Sequence, residues 1–396
     1  MKEGWKYSPF RDIFPIKMGK TPPRGDKSSW DTDKKSDKKW VSIADISQNE
    51  GKVIYDTKEY ITDVAAAKIF RVKAKSLLMS FKLTIGKMAF AGVDLYTNEA
   101  IIAIPENKEY DLKFLYFYLS SYNWSSLTDG NEKVKGKTLN KESIGKIQLP
   151  IISLSEQQRI VSYLDAEFAK IEALKANAEN QLQAAKDLFQ AALKELMMPK
   201  EGWVEKSLES LNTEMYRGSG ITREQIKTQG IQCVRYGEIY TTYNYWFDEC
   251  VSHTDEQLIK TKKYFEYGDI LFAITGESVE DIGKSIAYLG HNKCLAGGDI
   301  IVMKHKQNPK YLAYALATPN AIAQKGLGKT KLKVVHTNAP SLKSIVVPIP
   351  SLPEQQRIAD RLDALSANVK ALQSNYTETI TLCNDLKQAL LKKVFE

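Results

Sequence analysis

Three Gly-Lys-Thr triplets, at residues 19–21, 136–138 and 328–330, have the residue types of a phosphate-binding loop in this 396-residue chain. The P-loop that cradles a nucleotide also needs a glycine five residues before the glycine of the triplet. Those three positions hold Phe14, Asn131 and Ala323. The sequence therefore does not predict a nucleotide-binding loop.

The other residues that could do chemistry are too scattered to form a catalytic centre. Asp33-x-Lys35 and Asp37-x-Lys39 are similar to the end of a nuclease motif, but a lysine run with interspersed aspartates is typical of a solvated loop. The chain also lacks the Asn/Asp-Pro-Pro-aromatic signature of amino-methyltransferases and a glycine-rich S-adenosylmethionine loop. The four histidines are His253, His291, His305 and His336, and their spacing fits neither a catalytic triad nor a set of metal ligands. We therefore predict neither a catalytic site nor a metal site.

Cysteine usage and hydropathy exclude further classes of protein. The four cysteines all lie in the second half and none forms a Cys-x-x-Cys pair, so a disulfide framework or a zinc ribbon is not expected. No apolar run approaches the roughly 18–20 residues that cross a bilayer. The amino terminus has no apolar signal core, so we expect neither secretion nor membrane insertion.

Basic charge gathers in two separate segments of the chain, whose formal net charge is +8. Residues 1–150 carry 26 basic and 19 acidic groups, which gives +7, and residues 301–350 carry eight basic groups and no acidic one. Two basic segments favour contact with a polyanion, although lysine-rich stretches are also common on solvated surfaces.

The chain is one unit written twice. Lys-Glu-Gly-Trp at residues 2–5 recurs at 200–203, and Pro-Ile-x-Ser-Leu-x-Glu-Gln-Gln-Arg-Ile at 150–160 recurs at 348–358, both at an offset of 198 residues. Between these matching segments the interiors share almost nothing. A repeated frame with different interiors predicts one scaffold that presents two specificities.

Each half ends in a long amphipathic helix, predicted over residues 151–199 and 349–396. Apolar residues recur there every three or four positions, which is the spacing of a continuous seam that faces one partner helix. Because a lone helix of about 45 residues cannot bury its stripe, we expect the two helices to pair with each other. The covalent order makes that pair antiparallel, so the sequence predicts a pseudo-twofold molecule.

Both helix starts match the Ser-x-x-Glu pattern of a capping box, with Ser153 and Glu156 in the first copy and Ser351 and Glu354 in the second. In that motif the serine side chain caps the helix and the glutamate reaches back to the serine backbone. The alternative is that the neighbouring Arg159 and Arg357 contact DNA or a partner subunit.

The globular segments have the pattern of mixed α/β domains with short strands. Each contains one short helix, at 113–120 and 310–317, before a loop rich in lysine and glycine. The predicted strands are 40–43, 76–81, 87–90, 101–104, 231–235, 269–274, 285–288 and 300–303. The predicted fold class is α+β, with two globular domains separated by an antiparallel intramolecular coiled coil.

Taken together, these motifs resemble the specificity subunits of type I restriction–modification systems. The resemblance covers the whole chain and rests on the two-unit layout and the doubled junction at 150–160 and 348–358. It also rests on two openings, Ile16-Lys17-Met18-Gly19-Lys20-Thr21-Pro22 and Tyr216-Arg217-Gly218 followed by Val234-Arg235-Tyr236-Gly237-Glu238-Ile239-Tyr240.

The resemblance implies two target-recognition domains, at 1–150 and 200–348, separated by a central spacer helix at 151–199 and a C-terminal one at 349–396. Each domain would read one half of a split double-stranded DNA site, and because the interiors differ, the site should be asymmetric. Two methyltransferase subunits, which bind S-adenosylmethionine, would dock on the helices and methylate adenine N6, and a restriction subunit that translocates DNA would join them. The chain itself would be non-catalytic, bind no cofactor, and act in the prokaryotic cytoplasm.

Candidate DNA-binding residues follow from side-chain chemistry, since arginine reads guanine in bidentate fashion whereas lysine mainly attracts phosphate. In the first domain they are Lys20, Thr21, Arg24, Lys34, Lys35, Lys38 and Lys39, with the loop residues Lys133, Lys135 and Lys137. In the second domain they are Arg217, Arg223, Arg235, Tyr236, Tyr240, Lys329, Lys331, Lys333 and His336. For each basic residue the alternative is a solvated surface position, and for the tyrosines it is a place in the core.

Two other classes of function stay open at this point. A standalone nuclease or methyltransferase with diverged motifs would show activity in the purified chain. A coiled-coil scaffold or a DNA-binding regulator outside restriction–modification would pair its helices between chains and form a stable dimer.

Overall fold

The computed structural model describes residues 2–124, 139–328 and 334–396. The chain forms two compact units, which we call unit 1 (Met1–Ala178 with Glu378–Glu396) and unit 2 (Glu179–Thr377). The two long helices, Leu154–Leu196 and Leu352–Phe395, each contribute one part to unit 1 and the other part to unit 2. Both helices are as continuous as the uninterrupted apolar spacing predicts.

The elements of unit 1 and the first long helix follow in chain order. They are β1 (Lys6–Pro9), α1 (Phe10–Ile13), β2 (Lys17–Met18), β3 (Lys39–Val41), α2 (Ile43–Gln48), β4 (Val53–Ile54), β5 (Glu59–Tyr60), α3 (Asp63–Ala66), β6 (Leu77–Ser80), β7 (Met88–Ala91), β8 (Tyr96–Thr97), β9 (Ile101–Ile104), α4 (Leu112–Ser121), α5 (Lys141–Gly145), β10 (Gln148–Ile151) and α6 (Leu154–Leu196).

Unit 2 repeats this series with additions, and the second long helix follows it. Its elements are β11 (Val204–Ser207), α7 (Leu208–Leu211), β12 (Asn212–Arg217), β13 (Ile226–Lys227), β14 (Ile231–Val234), α8 (Tyr236–Thr241), β15 (Trp246–Phe247), β16 (Ser252–Thr254), β17 (Tyr264–Phe265), β18 (Ile270–Ala273), β19 (Thr275–Gly276), β20 (Ser285–Tyr288), β21 (Cys294–Ala296), β22 (Ile300–His305), α9 (Pro309–Leu316), α10 (Pro319–Gly326), β23 (Val335–His336), α11 (Ala339–Lys343), β24 (Val346–Ile349) and α12 (Leu352–Phe395).

The two units share one strand topology. A five-stranded sheet has the order β2-β9-β6-β7-β4 in unit 1 and β12-β22-β18-β20-β15 in unit 2. A second sheet has the order β5-β3-β8 in unit 1, and the corresponding strands β16-β14-β21 gain β13 and β17 at their edges in unit 2. In both units the last strand of the first sheet (β4 or β15) pairs in parallel, and so do β3 with β8 and β14 with β21.

Continuous apolar runs form the central strands, because both faces of these strands are covered. All four residues of β6 and all four of β9 are buried, and so are all four of β18. The short helices are capped at their start: the Asp111 side chain accepts from two backbone N–H groups of α4, and the Asn308 side chain accepts from Tyr311 N in α9.

Unit 1 contains an antiparallel pair of helix segments from α6 and α12. In unit 1, Lys387 binds Glu172 and Lys175 Nζ lies 3.1 Å from Asn384 Oδ1, so sequence numbers rise along one segment and fall along the other. The end of α12 enters the core of this unit through Phe395, which packs edge-on against aromatic rings including that of Phe114, 5.6 Å away.

In unit 2 the other parts of the long helices join one core with α9. Phe189 of α6 packs 5.4 Å from Tyr245, which in turn lies 4.9 Å from Tyr314 of α9. Ile358 and Leu362 of α12 are fully buried in the same cluster. The predicted α+β class, the eight predicted strands and the two predicted short helices are confirmed, with shifts of one or two residues at their ends.

Candidate nucleic-acid interface

The opening loop of unit 1 begins at a glycine that has no room for a side chain. A Cβ on Gly19 would lie 1.8 Å from the carbonyl oxygen of Thr97, so the backbone passes directly against β8. Lys20 N donates to that same carbonyl at 2.9 Å, and Trp40 Nε1 donates to Lys20 O at 3.2 Å. These contacts fix the loop that carries Arg24 five residues after the glycine.

The opening loop of unit 2 begins in the same way. A Cβ on Gly218 would lie 2.1 Å from the carbonyl oxygen of Gly297, and Ser219 N donates to Ala296 O at 2.6 Å. Arg223 also stands five residues after its glycine, so it occupies the position that Arg24 has in unit 1.

Arg24 is held between two tryptophans and a carboxylate. Its guanidinium carbon lies 4.3 Å from the ring centre of Trp30 and 5.0 Å from that of Trp40. Both terminal nitrogens bind the carboxylate of Glu59, with Nη2 3.2 Å from Oε2. Stacking and bidentate pairing together fix the plane of the guanidinium.

Two of the predicted lysines lie over the ring of Tyr60. Lys34 Nζ lies 5.0 Å and Lys39 Nζ 5.3 Å from the ring centre, and Lys34 also donates to Thr57 O at 2.9 Å. The hydroxyl of Tyr60 donates to Asp56, and this hydrogen bond raises the pKa of Tyr60 to about 12. The phenol is therefore protonated at neutral pH, and its ring packs against the ammonium groups of Lys34 and Lys39.

A cavity of about 600 Å³, which we call the Arg24 cavity, opens beside these groups. Its wall includes the rings of Trp30 and Tyr60 and the carboxylates of Asp31 and Glu59. The basic side chains that line it are Arg24, Lys27, Lys34 and Lys58.

The remaining candidates of unit 1 are engaged with acidic side chains of the same unit, apart from Lys20, whose side chain is exposed. Thr21 Oγ1 donates to Glu99, and Lys35 Nζ lies 2.8 Å from Asp33. Lys38 binds Asp37 and Asp63, and its hydrogen bonds to these carboxylates raise its pKa. Lysines paired in this way attract phosphate less than unpaired ones do.

In unit 2, two predicted arginines each lie beside the turn before β22. Arg217 Nη2 lies 2.7 Å from Asp299 Oδ1, and its Nε donates to Gly298 O at 2.5 Å. Arg235 begins α8, where its backbone N–H donates to Glu238 Oε2 at 3.1 Å. Arg223 is exposed, with no ion pair in the described part of the chain.

Tyr236, Tyr240 and His336 form the second group in unit 2. Both tyrosines belong to α8 and pack on the core, and burial raises the pKa of Tyr240. His336 Nδ1 lies 3.1 Å from Thr275 Oγ1 across the β19–β23 pair. A Cβ on Gly276 of β19 would lie 2.9 Å from the hydroxyl of Tyr240, so the two residues meet at this strand pair.

Six predicted lysines lie outside the described residues. They are Lys133, Lys135, Lys137, Lys329, Lys331 and Lys333.

The helix starts differ from the predicted capping box. Ser153 Oγ accepts from Glu156 N at 3.3 Å, but Glu156 binds both Arg159 Nε and Nη2 at 2.7 Å instead of reaching back. An arginine one turn away offers a bidentate, charge-assisted partner, which the single backbone N–H cannot match.

The second copy repeats this difference. Glu354 binds both Nε and Nη2 of Arg357 at 2.7 Å. Of the two predicted serine caps, Ser351 makes no side-chain hydrogen bond to α12 in the described structure.

Sequence reasoning missed the buried glutamine of each junction. Gln157 is fully buried, where its Nε2 donates to Glu109 O and Ile152 O and its Oε1 accepts from Asp111 N. It therefore links the start of α6 to the start of α4. The signal was present in the repeated Glu-Gln-Gln-Arg, of which neither glutamine was assigned a role.

The equivalent Gln355 makes the same type of link in unit 2. Its Nε2 donates to Pro350 O at 2.9 Å and to Gln307 Oε1 at 2.8 Å, and its Oε1 accepts from Asn308 N at 2.9 Å.

A second basic cavity, of about 230 Å³, was also missed. Lys293 Nζ lies 4.2 Å from the ring centre of Tyr264 and Lys263 Nζ 5.5 Å from that of Tyr216. Lys304 in its wall binds Glu266 and Asp269, and these carboxylates raise its pKa. Lys262 and Lys263 are adjacent, but Lys293 and Lys304 come from distant parts of the chain, so the sequence does not mark these lysines as one site.

None of the described helices is both long and apolar enough to span a bilayer. Within the same residues no cluster of three or more His, Cys, Asp or Glu side chains has the arrangement of a metal site.

Comparison with known families gives two matches along the chain. The model described as "Type I restriction modification DNA specificity domain" matches residues 2–184 and again residues 200–382. The two matched ranges begin in equivalent places of the sequence repeat.

Curated relatives carry the same designation. The chain is 26% identical over 327 residues to the type I restriction enzyme EcoBI specificity subunit of Escherichia coli, which covers 74% of this chain and 67% of the relative. It is also 26% identical over 315 residues to the EcoKI specificity subunit of E. coli strain K12, which covers 74% and 66%. The chain thus spans about two thirds of the length of these relatives.

Solved structures share the fold. A chain from a study of complex assembly and conformational transition of the type I R-M system superposes with a TM-score of 0.77 at 16% identity, covering 100% of this chain and 98% of that one. The HsdS subunit from Thermoanaerobacter tengcongensis gives 0.57 at 16% identity, with 100% and 97% covered.

Proposed function

The chain belongs to the type I restriction–modification DNA specificity family, and we propose that it is the subunit that recognises the DNA sequence in such a system. Each unit reads one half of a bipartite site in double-stranded DNA. The chain is non-catalytic and binds no cofactor of its own.

The observation that supports this proposal is one fold that occurs twice with different side chains at equivalent positions. The turn before α2 reads Val41-Ser42, whereas the turn before α8 reads Val234-Arg235. Arg217 of β12 stands where β2 has Met18, since each immediately precedes its loop glycine. Two equal frames with unequal surfaces suit an asymmetric target, whereas equal surfaces would suit a palindrome.

The proposed role in DNA recognition also implies which partner subunits the chain requires. Because this chain is proposed to read sequence without reacting, two methyltransferase subunits supply the S-adenosylmethionine chemistry at adenine N6 and dock on α6 and α12. A restriction subunit completes the system that cleaves unmodified DNA. The place of action is the prokaryotic cytoplasm, where chromosomal and invading DNA meet.

The DNA-binding residues remain part of the proposal. Arginines near the opening loops supply base contacts, and the surrounding lysines supply phosphate contacts. The base-reading candidates are Arg24, Arg217, Arg223 and Arg235. The phosphate candidates include Lys20, Lys34, Lys35, Lys38 and Lys39.

Genome-wide mapping of N6-methyladenine in the native host, with and without this gene, tests the proposal. We expect deletion to abolish methylation at one split, asymmetric motif and to leave other motifs unchanged. Reintroduction of the gene is the control and should restore the same motif. An unchanged methylome in a host shown to express the gene and its methyltransferase partner would refute the proposal.

A further inference from the structure

The Arg24 cavity presents an arginine whose orientation is fixed before any ligand arrives. The side chain of Arg24 is 56% exposed, although one face lies on Trp30 and both terminal nitrogens bind Glu59. An exposed arginine normally loses considerable side-chain entropy when it binds. Here that loss has already occurred in folding, so a planar group is held ready at the wall of the cavity.

The pairing with Glu59 leaves most of the donors of Arg24 free. A guanidinium has five N–H groups, and the two hydrogen bonds to Glu59 use one from each terminal nitrogen. The remaining donors are Nε–H and the second hydrogen on each terminal nitrogen. Nε–H and its neighbouring terminal N–H form a second fork, which can still make two parallel hydrogen bonds.

The charge balance distinguishes a base from a phosphate as the ligand. The carboxylate of Glu59 compensates the charge of Arg24, and it would repel a phosphate placed next to it. Guanine O6 and N7 are neutral acceptors that require a planar fork more than they require net charge. Lys27, Lys34 and Lys58 also line the cavity and can contact the phosphates on either side of such a base.

We infer that Arg24 reads a guanine in the half-site of unit 1, and that Glu59 is the positioning residue that holds its guanidinium. The fork contacts O6 and N7 of that guanine in the major groove, while Trp30 keeps the guanidinium in plane. This inference rests on the proposed function, because it requires that unit 1 binds a DNA half-site.

The methylated motif of the complete complex tests the inference. We expect Arg24→Lys to relax one guanine in one half-site, because a lysine lacks the planar fork, and to leave every other position and the second half-site unchanged. The preference for guanine at that position should fall on the order of 10- to 100-fold. Arg71→Lys is the matched control, since Arg71 is also an exposed arginine of unit 1 paired with a carboxylate, Asp94, and should leave the motif unchanged.

A binding measurement separates specificity from stability. The purified complex is titrated with the duplex that carries its motif and with one in which the guanine's base pair is replaced by A·T. The wild type should prefer the first duplex by on the order of 10- to 100-fold, and Arg24→Lys should bind both about equally. Glu59→Gln removes the charge that holds Arg24 while keeping the size of the side chain, and should lower the same preference by less.

The outcomes separate the inference from the proposed function. If the wild-type complex has no split motif, the proposed function fails and the inference fails with it. If the motif exists and Arg24→Lys leaves it intact, the inference alone is refuted. An equal loss of affinity for both duplexes would make Arg24 a phosphate contact and would also refute it.

Discussion

Arg24 of unit 1 and Arg223 of unit 2 occupy the same position in two copies of one loop, but their surroundings differ. Arg24 stacks on Trp30 and binds Glu59, whereas Arg223 is exposed and lacks an ion pair within the described residues. The frame therefore fixes where an arginine stands, and the inserted strands and loops decide whether it is held there. One fold can present a rigid and a solvated arginine at equivalent points.

At the junctions between the globular part and the long helix, in contrast, equivalent residues of the two units make equivalent contacts. Gln157 and Gln355 are both fully buried, and each connects its long helix to the start of a short one through three hydrogen bonds. Lys113 binds Asp165 in unit 1, just as Lys310 binds Asp363 in unit 2. The frame is thus maintained by repeated polar contacts, while the interiors diverge.

The largest expected effect is the loss of a junction glutamine. We expect Gln157→Ala and Gln355→Ala each to lower the free energy of unfolding by about 3 kcal/mol, because each leaves buried backbone groups without partners. Urea unfolding measures the cost, and hydrogen exchange at α4 and α9 locates it. Gln158→Ala is the control, since Gln158 is exposed, and should change stability by less than about 0.5 kcal/mol. Unequal costs for Gln157 and Gln355 would break the equivalence of the two junctions.

A buried lysine in unit 2 provides the second expected difference between the units. Lys325 of α10 is fully enclosed, and its Nζ donates to Ser285 Oγ at 3.0 Å and Leu316 O at 2.8 Å without a carboxylate partner. Burial lowers the pKa of Lys325 to about 7. No lysine among the described residues of unit 1 is buried in this way.

The contribution of Lys325 to the stability of unit 2 should consequently rise with pH. Between pH 7 and about pH 10 the unfolded chain binds a proton at Lys325 that the folded chain does not, so this contribution rises by about 1.4 kcal/mol per pH unit, and it is constant below pH 7. Lys325→Met removes this dependence. Its stability relative to the wild type should fall by roughly 2–3 kcal/mol between pH 7.5 and 9.5 in urea unfolding.

Lys306→Met is the control for the pH experiment, since Lys306 is exposed, and it should follow the wild type at both pH values. Parallel curves for the wild type and Lys325→Met would show that Lys325 is charged in the folded protein throughout this range.

The sequence predicted the central strands and the long helices because their signals are local. β6 and β9 are short apolar runs, and α6 and α12 carry an unbroken apolar stripe, so each can be recognised within its own segment. The sequence repeat also predicted that the two halves share one fold. These features depend on burial alone, which periodicity reports directly.

The surroundings of Arg24 could not be predicted, because they depend on pairing between distant segments. Glu59 lies in a two-residue strand that pairs with β3, and neither strand is long enough to show a period. The role of Glu156 was misassigned for another reason. Ser153 and Glu156 fit a capping box in sequence, but the competing partner of Glu156 is Arg159, whose position only the formed helix defines.

The smallest expected effect concerns the repeated Glu–Arg pairs, Glu156 with Arg159 and Glu354 with Arg357. Both are exposed pairs three residues apart on a helix, so Arg159→Ala and Arg357→Ala should each leave the free energy of unfolding almost unchanged. Lys170→Ala is the control, because the Glu167–Lys170 pair has the same spacing in α6 but no copy in α12.

Assembly and methylation by the complete complex then show whether these arginines have a role beyond the helix. If the arginines serve only the helix starts, the double variant Arg159→Ala/Arg357→Ala should assemble and methylate as well as Lys170→Ala does. If assembly or methylation is lost while stability is kept, the arginines contact a partner subunit or DNA. Because the two pairs have the same geometry, Arg159→Ala and Arg357→Ala should then reduce assembly or methylation by equal amounts. An unequal loss would mean that the two junctions, although they share the same Glu–Arg pair, face different neighbours.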